Sequence, residues 1–110
     1  MTGMTSATSP MPNVPKSMLC QEIVQCVQGS HCARVAVTDC LCGADADPNV
    51  CFNTPIAQLT GPCRDLIAAG SETTLIADIA NRFTDPTYAV GAADAQIETC
   101  DQFYCFDQCL

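Results

Sequence analysis

The sequence predicts an all-α, disulfide-rich domain carrying an extended N-terminal arm, and three observations lead there. Ten cysteines in 110 residues, an even number, place the chain in the composition range of cross-linked scaffolds. Trp is absent and there are only four Phe and two Tyr, so Ala, Ile, Leu, Val and Cys must supply the core. Beyond the first residues, apolar side chains recur mostly at helical spacing, and no succession of alternating strands emerges. The length suits one core rather than two.

Residues 1–17 form the arm: Ser, Thr, Pro, Gly and Met with the single charge of Lys16 and no cysteine. Such a composition disfavours regular structure, so an ordered arm needs a surface to lie on. A neighbouring subunit would provide one, as would the protein's own flank. Residues 18–110 form the disulfide-tied helical domain.

In "SMLCQEIVQCVQG", Leu19, Ile23, Cys26 and Val27 fall at helix spacing, with Ser17 as cap and Gly29 as stop. "SHCARVAVTDCLCG" is read as a second helix from Ser30 toward Cys40, although the alternation at Val35, Val37 and Thr38 also fits a strand. The stretch "GADADPNVCFN" is a loop, and Thr54 and Pro55 then begin a short helix. "GPCRDLIAAG" runs from Pro62 to Gly70 with Cys63, Leu66 and Ile67 on its apolar face. "SETTLIADIANRF" gathers Leu75, Ile76, Ile79, Ala80 and Phe83 on one stripe, with Ser71 as cap and Glu72 in the first turn, favourable to the helix dipole. Asp85 and Pro86 look like cap and first residue of the next helix, where Gly91, Ala92 and Ala95 form a small-residue face. In "CDQFYCFDQC", Cys105 and Cys109 are four apart on one helical face.

The candidate site residues are the sulfurs themselves: Cys20, Cys26, Cys32, Cys40, Cys42, Cys51, Cys63, Cys100, Cys105 and Cys109. There is no Cys-x-x-Cys, which removes the usual redox motif and covalent haem attachment. In "DCLCG", Cys40 and Cys42 are too close in sequence to bond one another in relaxed geometry, so each should reach a different partner. If the turn near Gly29 makes an antiparallel helical hairpin, Cys20 meets Cys40 and Cys26 meets Cys32. Cys42, Cys51 and Cys63 are then left for Cys100, Cys105 and Cys109. A metal site at His31, Cys40 and Cys42 is the competing reading of these sulfurs.

The net charge of −8, from twelve acidic against four basic residues, repels polyanions and argues against nucleic acid and anionic lipid as partners. No apolar run approaches a membrane span. "DADPN" starts like a calcium loop, but Val50 stands where an EF-hand needs glycine and Ile56 where it needs glutamate. His31 is the only histidine and Lys16 the only lysine, so acid–base and Schiff-base chemistry have few candidates, and no catalytic residue and no cofactor are expected. Phe103, Tyr104 and Phe106 lie too close together for all three to face one core, which offers one of them to a contact surface. The sulfur content calls for an oxidising compartment: periplasm, cell surface or exterior. The opening residues lack the pattern of an export signal, and the numbering is expected to begin after a removed signal or anchor.

The succession "CLCG", Cys51, "GPC", "F-x-D-P-x-Y-A-x-G-x-A", Cys100, Cys105 and Cys109 resembles small cysteine-rich exported proteins of myxobacteria and their relatives, over residues 20–109. That resemblance implies export and disulfides, and carries no active-site residue with it. The resulting expectation is a non-enzymatic extracytoplasmic subunit that docks onto protein subunits of a larger assembly through its N-terminal arm. Two alternatives are an accessory subunit of an exported electron-transfer or other enzyme complex, and a cysteine-based metal-binding domain.

Overall fold

The structure, a computed structural model, describes residues 1–34, 36–44, 46–99 and 108–110. It is all-α and tied by disulfides, as expected: six α-helices and one 3-10 turn among the described residues, with no strand. Helices α1 (Lys16–Ser30), α4 (Arg64–Ser71) and α6 (Ala89–Thr99) pack on one another, and α5 (Ile76–Arg82) lies against α4. Leu19, Ile23, Val24 and Val27 of α1 meet Ile67 of α4, Ile79 of α5 and Ala89, Val90, Ala92 and Ala93 of α6 in the core. Two of these helices approach closely because α4 carries Gly70. A Cβ there would lie 2.5 Å from Ile23 Cδ1 and 3.1 Å from the Val90 backbone nitrogen.

The helix boundaries move for identifiable reasons. Helix α1 starts at Lys16, with Pro15 rather than Ser17 at its cap position. It ends past Gly29, at Ser30, where His31 takes the left-handed conformation at φ 57°. Of the second predicted helix only α2 (Asp39–Cys42) forms. Cys32 and Cys40 are disulfide-bonded with 5.0 Å between their Cα atoms. Eight helical residues would hold them about 12 Å apart, so this bond and the helix exclude each other.

In place of the expected loop, α3 (Pro48–Cys51) forms because Asp47 accepts from the Asn49 backbone N–H at 2.9 Å and Pro48 stands at N1. The short helix after Thr54 is the 3-10 turn Ile56–Gln58. Ser71 and Glu72 do not open α5: Ser71 is the last residue of α4, and Glu72 is its cap in the left-handed conformation at φ 57°. Leu75 therefore leaves the predicted stripe and is 65% exposed, while Ile79 and Phe83 stay buried. Asp85 caps a turn rather than a helix, accepting from the Thr87 N–H at 3.0 Å and from Thr87 Oγ1 at 2.7 Å, and α6 begins at Ala89.

The arm does not extend. Thr5, 2% exposed, donates through its hydroxyl to the Met11 carbonyl and accepts from the Val14 N–H, while its own N–H donates to the Val14 carbonyl at 2.8 Å. Gly3 and Asn13 take positive φ to close this loop, and Met4 forms an isolated bridge with Pro15. The loop lies on the protein's own flank, where the buried Ser9 hydroxyl donates to the Ala69 carbonyl.

Candidate functional site

The described cysteines form four disulfides: Cys20–Cys109, Cys26–Cys63, Cys32–Cys40 and Cys42–Cys51. Cys100, Cys105, Phe103, Tyr104 and Phe106, and with them the expected helical face of Cys105 and Cys109, lie outside the described residues. Cys40 and Cys42 do reach different partners, as their spacing requires. The hairpin pairing is overturned: Cys20 does not meet Cys40, Cys26 does not meet Cys32, and neither Cys42, Cys51 nor Cys63 bonds the C-terminal segment. The cause is topological. The described residues among 31–38 form no helix to lie against α1, and α4 takes that place, bringing Cys63 at its start beside Cys26.

Backbone pairing fixes this corner. The Gly61 N–H donates to the Leu41 carbonyl at 3.1 Å, and the Cys63 N–H donates to the Cys40 carbonyl at 2.9 Å. Any side chain at Gly61 would strike this backbone, since a Cβ would lie 2.3 Å from the Cys40 carbonyl oxygen. The result is a knot of sulfur in which the Sγ atoms of Cys32, Cys40 and Cys63 all lie within 4.8 Å of one another. Between the two disulfides, Cys32 Sγ and Cys63 Sγ are 3.9 Å apart. Cys40 and Cys63 are buried, whereas Cys26 and Cys32 are half-buried, and Cys32 borders a cleft shared with His31 and Arg34. His31 therefore stands near Cys32, while Cys42, expected beside it in a metal reading, is committed to Cys51.

A second, larger cleft of about 640 Å³ opens between the arm and the body, with Ser6 and Thr8 on one side and Lys16, Glu72, Arg82 and Tyr88 on the other. Glu72 organises it. Its carboxylate accepts from the Ser6 N–H at 2.5 Å and lies 3.6 Å from the Lys16 ammonium, which also donates to the Thr87 carbonyl at 3.0 Å. These bonds account for a non-glycine residue in the left-handed cap position. Arg82 donates to the Ser71 carbonyl at 2.9 Å, and its guanidinium sits 4.7 Å from the Tyr88 ring centroid, with the Lys16 ammonium at 5.6 Å. The Thr87 hydrogen bonds hold the Asp85 carboxyl below its ordinary value, with Lys16 and Arg82 adding to the effect. Half of the chain's four basic side chains thus converge on one ring. Lys16, Glu72, Arg82 and Tyr88 form no short motif, and of the two cations only Lys16, the single lysine of an acidic chain, stands out in the sequence.

In the N-terminal loop and the first turn of α1, Met4 is 55%, Met11 38% and Met18 47% exposed. Inside the protein, Asp94 of α6 is buried beside Phe83, Val90 and Ile97, and its Oδ1 has no hydrogen-bond partner among the described residues. Burial raises its pKa to about 6, with Glu98 contributing. None of the described helices is long and apolar enough to cross a membrane. No family model, no curated protein and no solved structure matches the chain.

Proposed function

We propose that this protein is a non-enzymatic extracytoplasmic binding subunit, a disulfide-tied body that docks onto another protein of a larger assembly through the face built by its N-terminal loop. The observation that carries this reading is the exposure of Met4, Met11 and Met18 on the loop and the first turn of α1, with Leu75 exposed at the rim of the adjoining cleft. Unbranched methionines adapt to a partner's surface, and Glu72 ties the loop to the body through the Ser6 N–H. The loop is ordered on its own flank before docking, so association does not carry the entropy cost of folding an arm.

The four disulfides support an oxidising address, in line with the resemblance to exported cysteine-rich proteins. The chain's acidity favours a protein partner over a polyanion. The test is quantitative co-purification from the native source, comparing the tagged protein with a Met4→Ser, Met11→Ser, Met18→Ser variant. The variant is expected to keep its circular dichroism and melting temperature and to lose the partner chains. Retention of the same chains at the same yield contradicts the assignment of this face.

A further inference from the structure

The sulfur knot beside α1 has a geometry that the scaffold role does not require. A disulfide needs only its own two sulfurs in register, yet here two disulfides from four separate places in the chain are brought into contact: Cys26 from α1, Cys32 from the turn after it, Cys40 from α2 and Cys63 from the start of α4. In a tetrahedral zinc thiolate site with Zn–S near 2.3 Å, neighbouring sulfurs stand roughly 3.8 Å apart. Cys32 Sγ and Cys63 Sγ, which belong to different disulfides, are already at 3.9 Å, and Cys40 Sγ lies within 4.8 Å of both. Cys26 lies outside that cluster of three and is tied to it through its bond to Cys63, which makes it the fourth sulfur within reach.

We propose that Cys26, Cys32, Cys40 and Cys63 become a four-thiolate site for a zinc-class divalent cation when their two disulfides are reduced. The chemistry balances with a dithiol as reductant. Two dithiol molecules supply four electrons and four protons, each closing to its own disulfide, and the two protein disulfides become four thiols. The cation then displaces the four thiol protons to solvent. Within each former disulfide the sulfurs must part by about 1.7 Å, from bond length to the tetrahedral spacing, a movement within reach of side-chain rotation.

The surroundings fit this use. The half-buried Cys32 opens onto the cleft lined by His31, Arg34 and Asp39, which gives the reductant and the cation a path in. The buried Cys40 and Cys63 sit on paired backbone, the Cys63 N–H bonded to the Cys40 carbonyl, which brings these two ligands together. Cys42 and Cys51 are bonded to each other and to none of these four, which makes them an internal control.

The experiment is an anaerobic titration with Co²⁺, whose tetrahedral thiolate complexes have intense visible bands. The full chain is reduced with a dithiol, freed of reductant by gel filtration and titrated beside the oxidised protein, a Cys42→Ser, Cys51→Ser variant and a Cys32→Ser, Cys40→Ser variant. The bands are expected to saturate at one Co²⁺ per chain in the reduced wild type and in the Cys42/Cys51 variant. The oxidised protein should bind none, and the Cys32/Cys40 variant should bind on the order of 100-fold more weakly. If no tetrahedral bands form, or if both variants weaken binding equally, as an unfolded chain of interchangeable thiols would, the site does not exist. The comparison reads metal binding directly and is independent of the docking face, whose variants leave these cysteines untouched.

Discussion

The helices α1, α4 and α6 and the segment from residue 31 to 63 are held by different physics. Of the buried apolar residues described in the three helices, only Cys20 is a cysteine, and the rest are Leu, Ile, Val and Ala in mutual contact. In the 31–63 segment the described buried apolar residues are Cys40, Leu41, Cys42, Cys51, Leu59 and Cys63, so sulfur outnumbers hydrocarbon side chains. Its two α-helices have four residues each, far below the length at which a helix is stable alone. One part of the molecule is built by packing and the other by covalent closure, and a chain without Trp and with few rings needs both.

The sharpest way to break the contrast is to remove hydrocarbon from the packed part. Ile67→Ala empties a fully buried position between the helices and is expected to lower stability by about 3 kcal/mol, with helix signal lost across the molecule in a single denaturant transition. The matching change in the covalent part is Cys42→Ser with Cys51→Ser, which opens a loop with a sequence separation of nine. Loop-closure entropy sets that loss at about 2–3 kcal/mol. Its effect should be local: hydrogen exchange is expected to accelerate at residues 43–60 while α1, α4 and α6 keep their protection. Global unfolding by the second variant and local unfolding by the first would reverse the account.

A smaller effect probes a flaw in the packed part. Asp94 has its pKa raised from 3.8 to about 6, so the folded state holds a proton that the unfolded state releases. Stability therefore falls as pH rises from about 4 to 6 and then levels, the opposite of a salt-bridged carboxylate. Asp94→Asn should flatten that slope and stabilise the protein at pH 7 by roughly 1 kcal/mol, the shift being discounted for solvent screening. Chemical denaturation at several pH values checks the sign, and an unchanged slope in the variant shows that Asp94 is not its source.

The packed part was legible in the sequence and the covalent part was not. Leu19, Ile23 and Val27 recur at the helical period, and their burial follows from that period alone. Ten cysteines announced disulfides, and the spacing of Cys40 and Cys42 showed that they serve different partners. The partners themselves depend on which backbone segments meet, and that was decided by tertiary features with weak local signals. Gly61 lets residues 61–63 lie against α2, and the Cys32–Cys40 closure prevents a helix where Val35 and Val37 had already weakened one. Glu72 misled for a related reason. Its suitability for a helix N-terminus is a local preference, overridden by its bonds to Lys16 and Ser6 across a long stretch of chain. The protein's own flank was one of the two surfaces the arm's composition allowed, but that composition says nothing of the Thr5 hydroxyl network that folds it back on itself.

The central claim is that a specific set of covalent ties substitutes for bulky packing in the 31–63 segment and anchors it to α1. Proteolytic mapping of the unreduced, alkylated native protein by mass spectrometry tests it most directly. The account predicts linked peptides joining Cys20 to Cys109, Cys26 to Cys63, Cys32 to Cys40 and Cys42 to Cys51. Alkylated thiols at any of these eight positions, or linked peptides joining Cys20 to Cys40 and Cys26 to Cys32, would contradict it.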